Sequence, residues 1–218
     1  MPLFVVATPL GHYGDITIRG KELLASCDFV IGEEFRPTST LLKKIGLEQK
    51  EIYELNEHTR DKDLIELVEL CRQHKVAFVS DCGTPNFCDP GFQLIARLRR
   101  EKIPVQALPG PSSLALIISL SSEKIESFVF EGFLPAEREK RSARLKNLAT
   151  EKRSIVLMET PYRIGKLLAE LAEVMPSRRA LLGLDLTLET EQVEEASIKK
   201  LSEMFSTSTK AEPILLIY

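Results

Sequence analysis

From Leu3 to Leu120 the chain alternates short apolar runs of β type with longer stretches whose apolar residues recur at helical spacing. That alternation constrains the fold more than any other feature. Leu3–Ala7, Phe29–Gly32, Val76–Val79 and Val105–Leu108 read as buried strands, with Glu51–Leu55 a weaker one. Between them Ile16–Cys27 (with Asp15 as N-cap), Thr38–Ile45, Asp61–His74, Gly91–Glu101 and Ser112–Leu120 read as helices. A chain that alternates in this way buries both kinds of element in a parallel sheet with right-handed crossovers. After Ser121-Ser122 the character changes. Strands are expected at Phe128–Glu131, Ile155–Met158, Leu181–Leu186 and Ile214–Tyr218, and helices at Glu137–Leu148, Tyr162–Val174 and Ile198–Phe205. A boundary near Ser113–Glu123 divides the chain into two domains, 1–113 and 114–218.

Glycine and proline gather where the first-domain strands end. Val76–Val79 breaks into Ser80-Asp81-Cys82-Gly83-Thr84-Pro85 and then Asp89-Pro90-Gly91. Ile103–Leu108 breaks into Pro109-Gly110-Pro111-Ser112-Ser113, and the first strand into Thr8-Pro9-Leu10-Gly11-His12-Tyr13-Gly14-Asp15. Any one of these is as readily an ordinary turn as a ligand loop. Open α/β sheets, however, bind ligands outside the carboxyl ends of their strands, and three stiff, close-approaching loops there point to a composite cleft.

Several chemistries are excluded. Gly11-His12-Tyr13-Gly14 is not G-x-G-x-x-G, so a dinucleotide loses its close backbone approach, and no Walker loop or G-x-S-x-G elbow occurs. Cys27, Cys71, Cys82 and Cys88 lack C-x-x-C spacing, which indicates neither a disulfide framework nor a metal site and fits a reducing cytoplasm. No apolar stretch approaches a membrane span. The net charge of −3 exerts no global pull on nucleic acid, so any such binding rests on a local patch.

Glu33 and Glu34 end the second strand with Arg36 close behind. They suit a general base with a guanidinium to orient it, or equally the acidic start of a helix before Thr38. Glu159-Thr160-Pro161-Tyr162-Arg163 repeats the design in the second domain, as a helix start and a binding edge. His12 and His58 lie in loops, where surface or capping roles are commoner than catalysis. Two basic stretches stand out: Arg97, Arg99, Arg100 and Lys102, and the run from Arg138 to Arg153. Such runs are usually solvated faces, and Glu137 at helical spacing from Arg141 fits that; a phosphate-binding surface is the sharper alternative.

The ordered set Val5-Val6-Ala7-Thr8-Pro9-Leu10-Gly11, Glu33-Glu34 with Arg36, Asp81-Cys82-Gly83-Thr84-Pro85, Leu108-Pro109-Gly110-Pro111-Ser112, Phe130-Glu131-Gly132-Phe133-Leu134-Pro135 and Glu159-Thr160-Pro161 with Arg163 resembles the tetrapyrrole methylase superfamily. Within it, the chain is similar to the RsmI-type ribosomal small-subunit RNA 2′-O-methyltransferase family. The resemblance implies two α/β domains, the first with a mostly parallel sheet flanked by helices and the second with a mixed sheet. It implies a homodimer in the cytoplasm and an S-adenosylmethionine cleft between the domains. The implied cofactor contacts are Pro9, Asp81, Cys82, Gly83, Ser112, Ser113, Glu159, Thr160, Leu184 and Ala211. The acceptor it implies is a cytidine ribose in ribosomal RNA of the small subunit. Glu33 or Glu34 is then expected to take or orient the hydroxyl proton, Arg36 to fix the carboxylate or a phosphate, and His58 to stand as a further catalytic candidate.

Departures from the family pattern leave other readings open. Glu34-Phe35-Arg36-Pro37 stands where Asp-Thr-Arg-His is usual, and Leu184–Leu188 lacks both basic residues of the family's Arg-Glu-Leu-Thr-Lys. The chain stops at Tyr218, without the extension that often follows the last strand. Carbon methylation of a porphyrin or corrin precursor is one alternative, and a non-catalytic S-adenosylmethionine-binding module is another.

Overall fold

A computed structural model describes residues 1–47, 49–206 and 210–218. The backbone divides into two compact units, Met1–Ser112 and Ser113–Tyr218.

In the first unit, β1 (Leu3–Val6), β2 (Phe29–Gly32), β3 (Glu51–Glu54), β4 (Val76–Phe78) and β5 (Val105–Leu108) alternate with α1 (Ile18–Ser26), α2 (Phe35–Lys44), α3 (Asp61–Gln73) and α4 (Phe92–Arg100). The strands form one sheet in the order β3-β2-β4-β1-β5. Each of its pairings is parallel, as the alternation requires. The central strands are buried on both faces. Val5, Ile31 and Phe78 pack on one side with Leu64 and Leu94, while Val6, Val30 and Ala77 pack on the other with Leu24 and Leu42. Because every strand points the same way, the loops after β1, β2, β4 and β5 emerge along one edge. β1 lies between β4 and β5, so the order reverses there, which is where such sheets hold ligands.

The second unit contains α5 (Ser113–Ser119), β6 (Phe128–Phe133), α6 (Arg138–Ala149), β7 (Ser154–Met158), α7 (Ile164–Val174), β8 (Arg179–Leu184), β9 (Gln192–Ser197), α8 (Ile198–Met204) and β10 (Pro213–Ile217). Its sheet runs β6-β7-β10-β8-β9, with β6 parallel to β7 and the other pairings antiparallel, a mixed sheet as expected. One face packs under α7 and α8 through Leu157, Leu182 and Leu215 against Leu168 and Leu201, and the other under α5 through Val156 and Leu216 against Ile117.

Local boundaries differ from expectation for identifiable reasons. Thr17, not Asp15, caps α1, its Oγ1 accepting the Gly20 N–H at 3.0 Å, because Tyr13–Asp15 forms a short 3₁₀ turn of its own. Helix α2 starts at Phe35 rather than Thr38, since Pro37 is tolerated in a first turn and the Phe35 N–H is satisfied by Glu54 Oε1 at 2.8 Å. Strand β6 continues past a bulge at Glu131, pairing again at Gly132, whose φ of 66° suits glycine. Strand β8 stops at Leu184 because Asp185 and Thr187 take φ values of 50° and 75°. Edge strand β9 carries no alternating apolar pattern, and only its pairing with β8 reveals it.

Helix α6 is not the freely solvated basic face its sequence resembles. Arg141 is 3% exposed; its guanidinium grips Glu170 through Nε at 2.6 Å and Nη2 at 2.8 Å, and Nη1 donates to the carbonyls of Pro135 and Ala136. Glu137 pairs with Lys140 at 2.6 Å rather than with Arg141, and Arg144 with Glu131 at 2.5 Å. Truncating one member of a buried, hydrogen-bonded pair leaves the other's charge uncompensated. Arg141→Ala is therefore expected to cost about 3 kcal/mol, read as a lower urea midpoint with an unchanged slope. No helix among the described residues is long and apolar enough to cross a membrane.

Candidate active site

The three glycine- and proline-bearing loops of the first unit are tied to one another. Thr8 N–H donates to the Gly83 carbonyl at 2.8 Å, and Thr8 Oγ1, itself buried, lies 3.1 Å from the Ser80 carbonyl. Thr84 Oγ1 donates to Pro111 O at 3.0 Å, joining the β4 loop to the β5 loop. Cys82 Sγ reaches the Leu10 carbonyl at 3.4 Å. Gly83 holds a φ of +79°, which a side chain rarely adopts. At Gly110 a Cβ would stand 2.8 Å from the Ala7 Cβ, so the β5 loop lies directly on the end of β1. His12 is a capping residue: its Nδ1 accepts the Gly14 N–H at 3.1 Å.

Three carboxylates collect beside this network. Burial, then the charges of Asp89 and Asp81, push the Glu33 carboxyl up to about 7. Asp89 is raised by burial and by Asp81, and Asp81 by burial and by Glu34. The backbone N–H of Asp81 opposes the rise by bonding the Glu33 carboxylate. Glu34 is exposed at the N-cap of α2, its N–H donating to Asp81 Oδ1 at 3.3 Å. Arg36 joins Pro9, Tyr13, Pro37 and Asp81 around a hollow of about 270 Å³. His58 is not part of this group: its side chain is 85% exposed and lies 3.6 Å from Glu57. Its neighbour Asn56 touches the site instead, Nδ2 donating to the Glu33 carbonyl at 3.5 Å.

In the second unit, β6 and β7 run one way and β10 runs back between β7 and β8, so four segments meet at one sheet edge. Glu159-Thr160 follows β7, Leu134 follows β6, Leu184 ends β8 opposite Pro213, and Ala211-Glu212 leads into β10. Asp185 fastens the last two, its N–H donating to Glu212 O at 3.0 Å and its Oδ1 accepting the Glu212 N–H at 2.8 Å. Glu159 is 4% exposed; Oε1 accepts the Thr160 N–H at 2.8 Å and Oε2 faces Arg163 at 3.1 Å. Ser112 closes the first unit and Ser113 opens α5 in the second.

Asp89 and Asn56 carry no expectation as site residues. Asp89 opens Asp89-Pro90-Gly91, a loop that the sequence itself marks; Asn56 acquires its place only from the pairing of β3 with β2. The described residues hold no cluster of His, Cys, Asp and Glu suited to a metal ion.

A family model described as Tetrapyrrole (Corrin/Porphyrin) Methylases matches residues 2–202. Two curated relatives carry the name Ribosomal RNA small subunit methyltransferase I. One, from Leptospira borgpetersenii, is 34% identical and the match covers 99% of this chain and 87% of the relative. The other, from Thermotoga maritima, is 35% identical, covering 97% of this chain and 94% of the relative. Among solved structures, the uroporphyrin-III C-methyl transferase of Thermus thermophilus, complexed with S-adenyl homocysteine, shares the fold at a TM-score of 0.70. It is 16% identical, over 100% of this chain and 97% of the other.

Proposed function

We propose that this chain, which belongs to the tetrapyrrole (corrin/porphyrin) methylase family, is an S-adenosylmethionine-dependent methyltransferase acting on a cytidine ribose hydroxyl of small-subunit ribosomal RNA. The likeness to small-subunit RNA methyltransferases over nearly the whole chain carries this reading. A homodimer working in the cytoplasm goes with it.

The residues present suit the cofactor. Burial raises the Asp81 and Asp89 carboxyls, with the charges of neighbouring carboxylates adding to it, and a cationic ligand beside them offsets that cost. Pro9, Asp81, Cys82, Gly83 and Ser112 from the first unit, and Ser113, Glu159, Thr160, Leu184 and Ala211 from the second, are the proposed contacts. S-adenosylmethionine supplies the transferable methyl group when bound. The rest of the work is positioning and proton transfer. A ribose hydroxyl is a poor nucleophile near neutral pH, and Glu33, held at about 7, is matched to accept its proton. Arg36, at the start of α2 on the rim of the hollow, orients a carboxylate or an acceptor phosphate. Glu34 anchors the Asp81 loop through its backbone. His58 is the reserve proton acceptor, to be tested by His58→Gln.

The test is radiolabel transfer from S-adenosylmethionine, offered total RNA and, separately, uroporphyrinogen. Label on RNA is expected. Label on the tetrapyrrole alone contradicts the proposal in favour of carbon methylation. Donor-dependent thermal stabilisation with no label on either contradicts it in favour of a non-catalytic binding module.

A further inference from the structure

A second hollow, of about 150 Å³, lies wholly in the second unit at the start of α7, lined by Ala136, Arg141, Glu159, Arg163, Lys166 and Leu167. Arg141 is spent on Glu170 and two carbonyls, so it forms a wall and not a ligand. Arg163 is spent only in part. Its Nη2 faces Glu159 at 3.1 Å and the Leu134 carbonyl at 3.3 Å, which leaves the Nε and Nη1 protons without a partner among the described residues. Lys166 is exposed and reaches no described carboxylate as an ion pair; with Arg138 it adds its field to that of Arg141 around Glu170. No side chain caps the first turn of α7, whose N–H groups add to the positive field. Tyr162, immediately before Arg163, is 73% exposed.

The geometry points to a phosphate site: Arg163 and Lys166 seat one backbone phosphate of a single-stranded RNA acceptor, with Tyr162 as a stacking face for an adjacent base. This rests on the RNA reading above. A guanidinium with free donors and a lysine lining the same small hollow supply the charge and the hydrogen-bond donors that a phosphodiester requires. An exposed tyrosine beside them is the arrangement used to hold unpaired nucleotides without reading sequence. The carboxylate end of the methyl donor is the competing anion, and it has no use for an exposed aromatic ring.

The experiment titrates a single-stranded fragment of small-subunit ribosomal RNA onto the full chain between about 50 and 200 mM salt. For Lys166→Ala, the slope of log affinity against log salt is expected to flatten by about 0.7, with affinity roughly fivefold lower. Arg163→Lys keeps a charge over Glu159 but loses the planar fork; it is expected to weaken RNA binding with the slope intact. S-adenosylmethionine affinity, measured by calorimetry, is expected to stay within about twofold for both. Unchanged RNA affinity and slope in Lys166→Ala, with the native chain binding RNA, overturns the phosphate site and leaves the function standing. Loss of donor affinity in place of RNA affinity assigns the hollow to the donor and also overturns it. A native chain that binds no RNA removes both.

Discussion

Glu33→Gln is expected to lower methyl transfer by about 10²- to 10⁴-fold with donor affinity essentially unchanged, the signature of a lost proton acceptor. For the native chain, kcat/KM is expected to rise with pH through an inflection near 7, where burial and the charges of Asp89 and Asp81 hold the Glu33 carboxyl. The variant loses that inflection. Stability moves the other way. A carboxyl raised from 4.5 to about 7 binds its proton more tightly in the folded chain, so its contribution is complete at low pH and declines as pH rises through that window. Glutamine carries no charge to bury. Glu33→Gln is therefore expected to melt about 2–4 °C higher at pH 8, equivalent to roughly 1 kcal/mol after solvent screening, and no differently at about pH 3.5. A variant both more stable and inactive identifies a group placed for chemistry at a cost in stability. Unchanged turnover removes Glu33 as the base and leaves Glu34 and His58 to be tried.

Gly32→Ala is expected to be the most damaging single methyl in the first unit. Gly32 ends β2, and a Cβ there would collide with Thr38 Oγ1 and come within 2.9 Å of both Thr38 Cβ and Cγ2. Rotating the threonine moves its Oγ1 and Cγ2 but not its Cβ, so α2 itself must shift. Thr38 is 1% exposed and sits next to Leu41 and Leu42 in the packed layer, which resists that shift. An overpacking cost of about 2–3 kcal/mol follows, or a melting temperature lower by roughly 4–12 °C. Because α2 carries Arg36, activity is expected to fall further than the lost stability explains. Thr38→Gly in the same chain removes the clash and should restore turnover relative to Gly32→Ala alone. A normal melting curve for Gly32→Ala would show that α2 does not lie against the end of β2.

The parallel sheet of the first unit is readable from the chain because its central strands β1, β2 and β4 are buried on both faces and its helices on one, so local pattern and tertiary role agree. The same holds for the loops after β1, β4 and β5: glycine and proline mark them, and parallel strands deliver them to one edge. What the pattern hides is set by pairing and charge at a distance. Edge strand β9 is glutamate-rich and exposed, and only β8 makes it a strand. The basic run of α6 reads as a solvated face until Glu170 and Glu131, both outside that helix, claim Arg141 and Arg144. Within the acidic pair the sequence treats Glu33 and Glu34 alike. Folding separates them, with Glu33 half-buried against Asp81 and Asp89 and Glu34 turned to solvent. Arg163 is legible as part of a repeated motif, whereas Lys166 gains meaning only from the hollow at the start of α7.

The most direct measurement is the position of the methyl group on RNA labelled by the purified native chain. Small-subunit ribosomal RNA is methylated with radiolabelled S-adenosylmethionine, digested with alkali and resolved. Ribose 2′-O-methylation protects the adjoining phosphodiester, so label is expected in an alkali-resistant dinucleotide with cytidine on its 5′ side. Label released in mononucleotides, as base methylation gives, would contradict a carboxylate working on a ribose hydroxyl.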